Sequence, residues 1–488
     1  MMSSISTRIC PRILPILATL FIFPSCIQTK AVFAHFMLAN TANYTLQTWQ
    51  ADMHAAKESH IDAFALNSGH GARHTAESLD NAFTAATELD FKLFFSFDYS
   101  GGHWPKDEVI DLLQEYIPSP AYFKYNGKPL ITTFEGFEAA KDWANIKRAV
   151  GDSFFIPDWT SVGPQRASAV SAIDGLMCWD AWPDGANAMN TTEDEEYMRV
   201  LGAKPYIMPV SPWFYTNMEQ FDKNWVWRGD DLWYTRWEQV LELGPEMVEI
   251  ISWNDYGESH YIGPVHPEGT GILAEADAPF DYVDGMPHDG WRVLLPFLIQ
   301  QYKADGAEER GKVPIAEEVL NVWYRLSPAA ACGDGGTTGN TETQHQRLLD
   351  PADVSEDKVF YSALLEEAAD VSVSIGGDNR TAEWMGVPEG GRGVYHGSVA
   401  MEDGEGEVVV TLTRDGDFLA EMKGKNIETQ GQECPHNQTN WNAWVGNAWV
   451  ANATAESGLK GGRGAKVSPS AIQGVVVVVM ALTTLCLL

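Results

Sequence analysis

Positive charge is what this 488-residue chain has least of: 33 Lys and Arg stand against 67 Asp and Glu, a formal net charge of −34. Phosphate recognition needs a basic face, so nucleic acid is excluded as a partner. Cysteine is also scarce. Of six, Cys10, Cys26 and Cys486 lie in the apolar end segments, which leaves Cys178, Cys332 and Cys434. Three scattered cysteines do not make a metal site. Cys178 lies in a strand-like run and reads as a buried thiol, so Cys332 with Cys434 is the favoured pairing. No Gly-rich phosphate turn follows the first apolar run, where NTANYT stands instead, and no G-x-S-x-G elbow occurs. Dinucleotide binding and serine-triad hydrolysis are thereby disfavoured. No His/Asp/Glu cluster shows metal-ligand spacing, and nothing calls for a cofactor.

What is abundant is aromatic. With 45% hydrophobic and 20% charged residues the chain is globular, and its 18 Trp, 16 Tyr and 21 Phe exceed what a core of this size needs. Flat amphipathic rings of this kind are what sugars stack on.

Both ends read as processing segments. Arg8 and Arg12 precede the apolar run 13–23, and residues 1–31 form an expected secretory signal. At the other end, small residues and a short polar spacer precede GVVVVVMALTTLCLL (474–488), with no basic residue after it. At about 15 residues that run is short for a spanning helix, and residues 456–488 fit a glycosylphosphatidylinositol (GPI) attachment signal. Export to the cell surface or wall gives meaning to five Asn-x-Ser/Thr sites, at Asn43, Asn190, Asn379, Asn437 and Asn452.

Between the ends, eight short apolar runs begin near residues 32, 61, 92, 128, 154, 175, 205 and 249, each followed by a helix-compatible stretch such as 45–60 or 75–89. That alternation predicts an α/β fold, a (β/α)8 TIM barrel over 32–328, with 291–305 and 314–326 as closing helices. A Gly/Thr-rich linker over 329–350 leads to short alternating strands over 351–455, which predict a C-terminal β-sandwich domain.

A barrel's functional side chains sit at the C-terminal ends of its strands. There the sequence places His35, Asn67, Asp98, Tyr99, Asp158, Trp159, Asp180, Trp182, Trp213, Trp253 and Asn254, taken as candidate substrate contacts. Trp159, Trp182 and Trp213 are the expected sugar platforms. Asp62, at the entry of the second strand, reads either as functional or as a barrel-bottom acid bonded to backbone. The catalytic candidates are Asp255 and Glu258 in WNDYGES (253–259), three apart where the last strand gives way to loop, with Gly257 allowing the turn. Glycosidic cleavage needs such a pair, one carboxylic acid to protonate the leaving oxygen and one carboxylate to attack or to activate water.

Taken together, AHFMLAN (34–40), DAFALNSG (62–69), KLFFSFDYS (92–100), PDW (157–159) and SWNDYGES (252–259) resemble glycoside hydrolase family 71, the fungal α-1,3-glucanases or mutanases. The resemblance implies an inverting endo-hydrolase of cell-wall α-1,3-glucan, with Asp255 and Glu258 as its acid/base pair and their order open. Inversion would set the carboxyls some 6.5–9.5 Å apart, retention about 5 Å. The family 99 mannosidases look similar at the same place, so an endo-α-mannosidase-like specificity is one alternative. A GPI-anchored wall glycan-binding protein without turnover is the other.

Overall fold

A computed structural model describes residues 30–71, 76–331, 349–428 and 438–451. Residues 1–29 of the expected leader, the C-terminal segment 456–488, most of the linker, the Cys332–Cys434 pairing, and Asn437 and Asn452 lie outside these residues. Among the described residues no helix is long and apolar enough to cross a membrane.

Eight strands form one closed parallel sheet: β1 (Ala31–Met37), β2 (Ala63–Gly69), β3 (Lys92–Asp98), β4 (Lys128–Phe134), β5 (Phe154–Asp158), β6 (Leu176–Met177), β7 (Tyr206–Val210) and β8 (Met247–Ile250). They neighbour one another in chain order, and β8 pairs back onto β1 through Ala31↔Met247 to Ala34↔Ile250. The expected barrel is therefore present. Its strands are buried on both faces, which is why they read as nearly continuous apolar runs. Phenyl rings fill the interior, with Phe33 edge-on to Phe94 at 4.8 Å and to Phe123 at 4.9 Å. β1 begins at Ala31, and the Lys30 ammonium bonds the Tyr302 carbonyl at 2.9 Å, so a leader boundary at residue 31 falls inside the first strand.

Helices α1 (Leu46–Glu58), α2 (Ala76–Leu89), α3 (Lys106–Tyr116), α4 (Trp143–Val150), α5 (Gly163–Ser168), α6 (Thr192–Leu201), α7 (Leu232–Leu243) and α8 (Leu295–Lys303) cover the barrel. Thr45 caps α1, its hydroxyl accepting from the Thr48 N–H at 3.2 Å. Between β7 and α7 the chain inserts an antiparallel hairpin, Tyr215–Met218 with Lys223–Val226. The apolar run over 205–215 is thus two elements rather than one strand, because Ser211 and Pro212 break it.

One helix expected from the sequence is a strand. Residues Val319–Arg325 (β9) lie inside an antiparallel sheet, paired with β10 (Lys358–Leu365) and with β16 (Ala443–Trp449). Both faces of β9 are covered: Leu320, Val322 and Tyr324 point into the sandwich core, while Val319 and Trp323 join the barrel core. With both faces apolar the two-residue alternation disappears, and the run imitates a buried helix. The first sheet is completed by β13 (Gly393–Ala400), in the order β13-β10-β9-β16; β11 (Asp370–Ile375), β12 (Asp378–Arg380), β14 (Gly406–Arg414) and β15 (Asp417–Ile427) form the second, in the order β12-β11-β14-β15.

The sandwich closes against the barrel through indole hydrogen bonds. Trp213 donates to the Trp441 carbonyl at 3.0 Å, and Trp323 donates to that of Asp230 at 2.8 Å. At the entrance end of the strands, Asp62 accepts from the Val32 N–H at 2.7 Å and pairs with Lys303. It is the backbone-bonded bottom acid. A cavity of about 340 Å³ opens there, lined by Asp62, Asp90, Lys57 and Lys303 among others, away from the candidate carboxylates.

Candidate active site

β8 ends at Ile250, and the loop after it folds back on itself: Ser252 N–H donates to the His260 carbonyl at 2.8 Å and Ile262 N–H to that of Ser252 at 2.9 Å. Trp253 N–H reaches the His35 carbonyl of β1 at 2.7 Å. This closed loop presents Asp255 and Glu258 together. Gly257 is not the residue in the left-handed region; Ser259 is, with φ 56°. Gly257 matters for a different reason, since a Cβ there would meet the Met218 sulfur of the hairpin at 3.0 Å.

The two carboxylates stand in unlike surroundings. Glu258 Oε2 bonds His260 Nε2 at 3.0 Å, His260 Nδ1 bonds Ser252 Oγ at 2.9 Å, and Glu258 Oε1 pairs with the Lys223 ammonium from the hairpin. Burial works against the Glu258 charge, but Lys223 and His260 overcome it and hold the carboxyl well below the usual range. Among the described residues no basic group forms an ion pair with Asp255; its Oδ1 accepts the Glu258 N–H at 3.1 Å. Burial first, and then the Glu258 charge, push the Asp255 carboxyl up. Burial works against the Lys223 charge, and Glu258 first, then Asp255 and Asp98, outweigh it and raise the ammonium.

Asp255, Glu258 and His260 bring one donor atom each to within 4.8 Å of one another. The sequence shows no metal-ligand spacing, yet the fold assembles this cluster. Lys223 already supplies its positive charge.

The sequence profile of glycosyl hydrolase family 71 matches residues 28–457. The chain belongs to that family. A glucan endo-1,3-alpha-glucosidase of Schizosaccharomyces pombe is 34% identical over 414 residues, covering 82% of this chain and 91% of the relative. A mutanase of Penicillium rubens is 33% identical over 448 residues, covering 89% and 92%. An ascus wall endo-1,3-alpha-glucanase of Schizosaccharomyces pombe is 28% identical over 296 residues, covering 57% and 68%.

Around Asp255 and Glu258 of this family 71 enzyme, the remaining candidates divide by burial. Asp98 and Tyr99 are partly open at the end of β3, and Asn67 bonds Asp98 Oδ2 at 3.4 Å. Asp180 is exposed at the rim. Trp182, 8% exposed, lies 5.6 Å ring to ring from His260 and forms a wall rather than a platform.

Others are corrected by the structure. Trp159, Trp213 and Trp253 are fully buried and offer no face to a sugar: Trp159 packs on Phe137 and Phe155, Trp213 lies against Gly229 and Trp291, and Trp253 against Phe64. Asn254 is a staple between the β8 loop and β1, accepting from Met37 N–H at 2.7 Å and donating to its carbonyl at 3.2 Å. Asp158 is buried and caps its own turn, accepting from Thr160 N–H and hydroxyl; burial and the neighbouring Glu135 push its carboxyl far up. His35 is buried, with Nδ1 on Glu249 Oε1 at 2.8 Å.

Lys223, His260, Ser252 and Glu249 were not singled out by sequence reasoning, nor were the partly exposed indoles Trp179 and Trp227. Trp179 lies edge-on to His35 at 4.8 Å, and Trp227 lies 4.6 Å from Trp182. Only His260 had a local signal, two residues beyond Glu258. Cys178 is the buried free thiol expected.

Proposed function

We propose that this family 71 enzyme cuts α-1,3-glucosidic bonds within a glucan chain, with Asp255 as the general acid and Glu258 as the ionised carboxylate that attacks or activates water. What carries the reading is the split in environment: Lys223 and His260 hold the Glu258 carboxyl down, while burial and the Glu258 charge push the Asp255 carboxyl up. Two titratable groups pushed apart in this way take opposite roles in acid/base catalysis. The resemblance implies inversion. Retention through a glycosyl-enzyme intermediate is the other outcome such a carboxylate pair allows. Proton NMR of the first-formed sugar decides between them, since a fresh α anomer means retention and a fresh β anomer inversion.

Lys223→Gln tests the ionisation argument. Without the ammonium, the Glu258 carboxyl rises toward its ordinary value, so the acid limb of the pH–rate profile moves to higher pH. An unmoved limb would remove Lys223 from the account.

Export to the cell surface or wall, with a GPI anchor and N-glycans, belongs to the same proposal. Three of the five acceptor asparagines, Asn43, Asn190 and Asn379, are exposed, as glycosylation requires. The mannosidase-like and turnover-free alternatives are not favoured, because the relatives named above are α-1,3-glucanases and both carboxylates are present. Reducing-sugar release from insoluble α-1,3-glucan, with β-1,3-glucan and α-mannan as controls, tests the substrate. Silence on the first from a folded protein ends this reading.

A further inference from the structure

The hairpin that delivers Lys223 to Glu258 also holds up a bare ring. Phe221 ends the short turn Glu219–Phe221 between the two hairpin strands and is 51% exposed. Four other large apolar side chains stand comparably open among the described residues, Met385, Val387, Phe418 and Trp449, and all four belong to the sandwich. Phe221 is the one on the barrel, and it is two residues from a catalytic contact. Two residues span at most about 7 Å between Cα atoms.

A single exposed apolar side chain needs no explanation on its own. This one sits on a braced support. Lys223 pairs with Met218 in the hairpin register, and Met218 packs on Gly257 beside Glu258. Tyr215 N–H donates to the Glu258 carbonyl at 3.1 Å, and the Tyr215 hydroxyl donates to the Thr439 carbonyl at 3.2 Å. The turn itself is tied down by Gln220 N–H on the Ala276 carbonyl at 3.1 Å. Glu219, Gln220 and Asp222, its neighbours in the chain, are exposed too and bring hydrogen-bonding groups to the same turn. A flat apolar face flanked by polar groups, on the hairpin that carries Lys223 to Glu258, is complementary to a pyranose, whose C–H face stacks while its equatorial hydroxyls bond outward.

We propose that Phe221 is a stacking platform for a glucosyl unit of the polymer outside the cleavage point, and that it sets the preference for long chains over short ones. The proposal rests on the reading of this mouth as a glucan cleft.

The test compares Phe221→Ala and Phe221→Trp in the full chain, on insoluble α-1,3-glucan and on the shortest soluble α-1,3-oligosaccharide that is cut. Depletion from solution by the insoluble glucan is measured in the Glu258→Gln background. A stacked ring contributes enough for its loss to weaken polymer hydrolysis and depletion by roughly three- to tenfold. The short substrate keeps its kcat/KM, and the Trp variant restores the polymer. Unchanged polymer hydrolysis and depletion in the Ala variant overturn the proposal, as does an equal loss on short and long substrates. A wild-type chain that cuts no α-1,3-glucan fails the functional reading instead, and depletion still decides Phe221: loss in the Ala variant upholds the platform, and no difference rejects it.

Discussion

Asp255→Asn and Glu258→Gln each lower hydrolysis of α-1,3-glucan by roughly 10²–10⁴-fold while the protein stays folded, since each removes one half of an acid/base pair. The two losses carry different signatures. An α-glycosyl fluoride leaves without needing a proton, so Asp255→Asn retains activity on the fluoride and Glu258→Gln does not. The reverse pattern would exchange the two roles; full activity of either variant on the polymer would remove that residue from catalysis. The pH dependence follows from the same environments. With the proposed roles, turnover needs Glu258 charged and Asp255 protonated. With the first carboxyl held down by Lys223 and His260 and the second pushed up, a working window opens between them. Activity falls on the alkaline side as Asp255 loses its proton. In Glu258→Gln the charge that helps raise Asp255 is gone, so the Asp255 carboxyl titrates at lower pH than in the wild type, which carbon NMR of the labelled side chain reads directly.

Asp194→Ala unfolds the enzyme at markedly lower denaturant, with an expected loss of about 3–5 kcal/mol, because it strands the Arg236 guanidinium. Both partners are buried, and the pair is a two-pronged one: Arg236 Nη1 donates to Asp194 Oδ2 at 2.8 Å and Nη2 to Oδ1 at 3.1 Å. The same guanidinium donates twice to the Pro209 carbonyl, at 3.2 and 2.7 Å, and Tyr206 gives its hydroxyl proton to Asp194 at 2.9 Å. One ion pair thereby ties α6 and α7 to β7. Replacing both partners with apolar residues of similar volume, Asp194→Leu with Arg236→Met, costs less than the single change, because no uncompensated charge remains inside. Chemical denaturation of the two variants beside the wild type measures this. A loss below about 1 kcal/mol in Asp194→Ala would mean that the stranded guanidinium finds water, as exposed pairs do.

The barrel was legible because each of its strands is apolar on both faces and separated from the next by a helix with its own periodicity. The same rule misled at Val319–Arg325, where burial between two cores erased the alternation that marks a strand. Burial also removed some of the candidate sugar contacts. Trp213 and Trp253 lie in runs that end at the mouth, but the sandwich covers Trp213, and Phe64 and the β8 loop enclose Trp253, so neither has a free face. Sequence pattern counts aromatic residues without knowing which are covered.

By itself the sequence determined the barrel and the sandwich and the family, and it put forward the pair Asp255 and Glu258, because these depend on local periodicity and on a short contiguous motif. The unlike chemistry of that pair was decided only by tertiary structure. Lys223 stands 35 residues upstream of Glu258 and reaches it through a hairpin that no local pattern announces. His35 meets Glu249 across 214 residues. Charge acts through space over a few ångströms, so which carboxylate keeps its proton depends on what the closed barrel brings beside it, not on its neighbours along the chain.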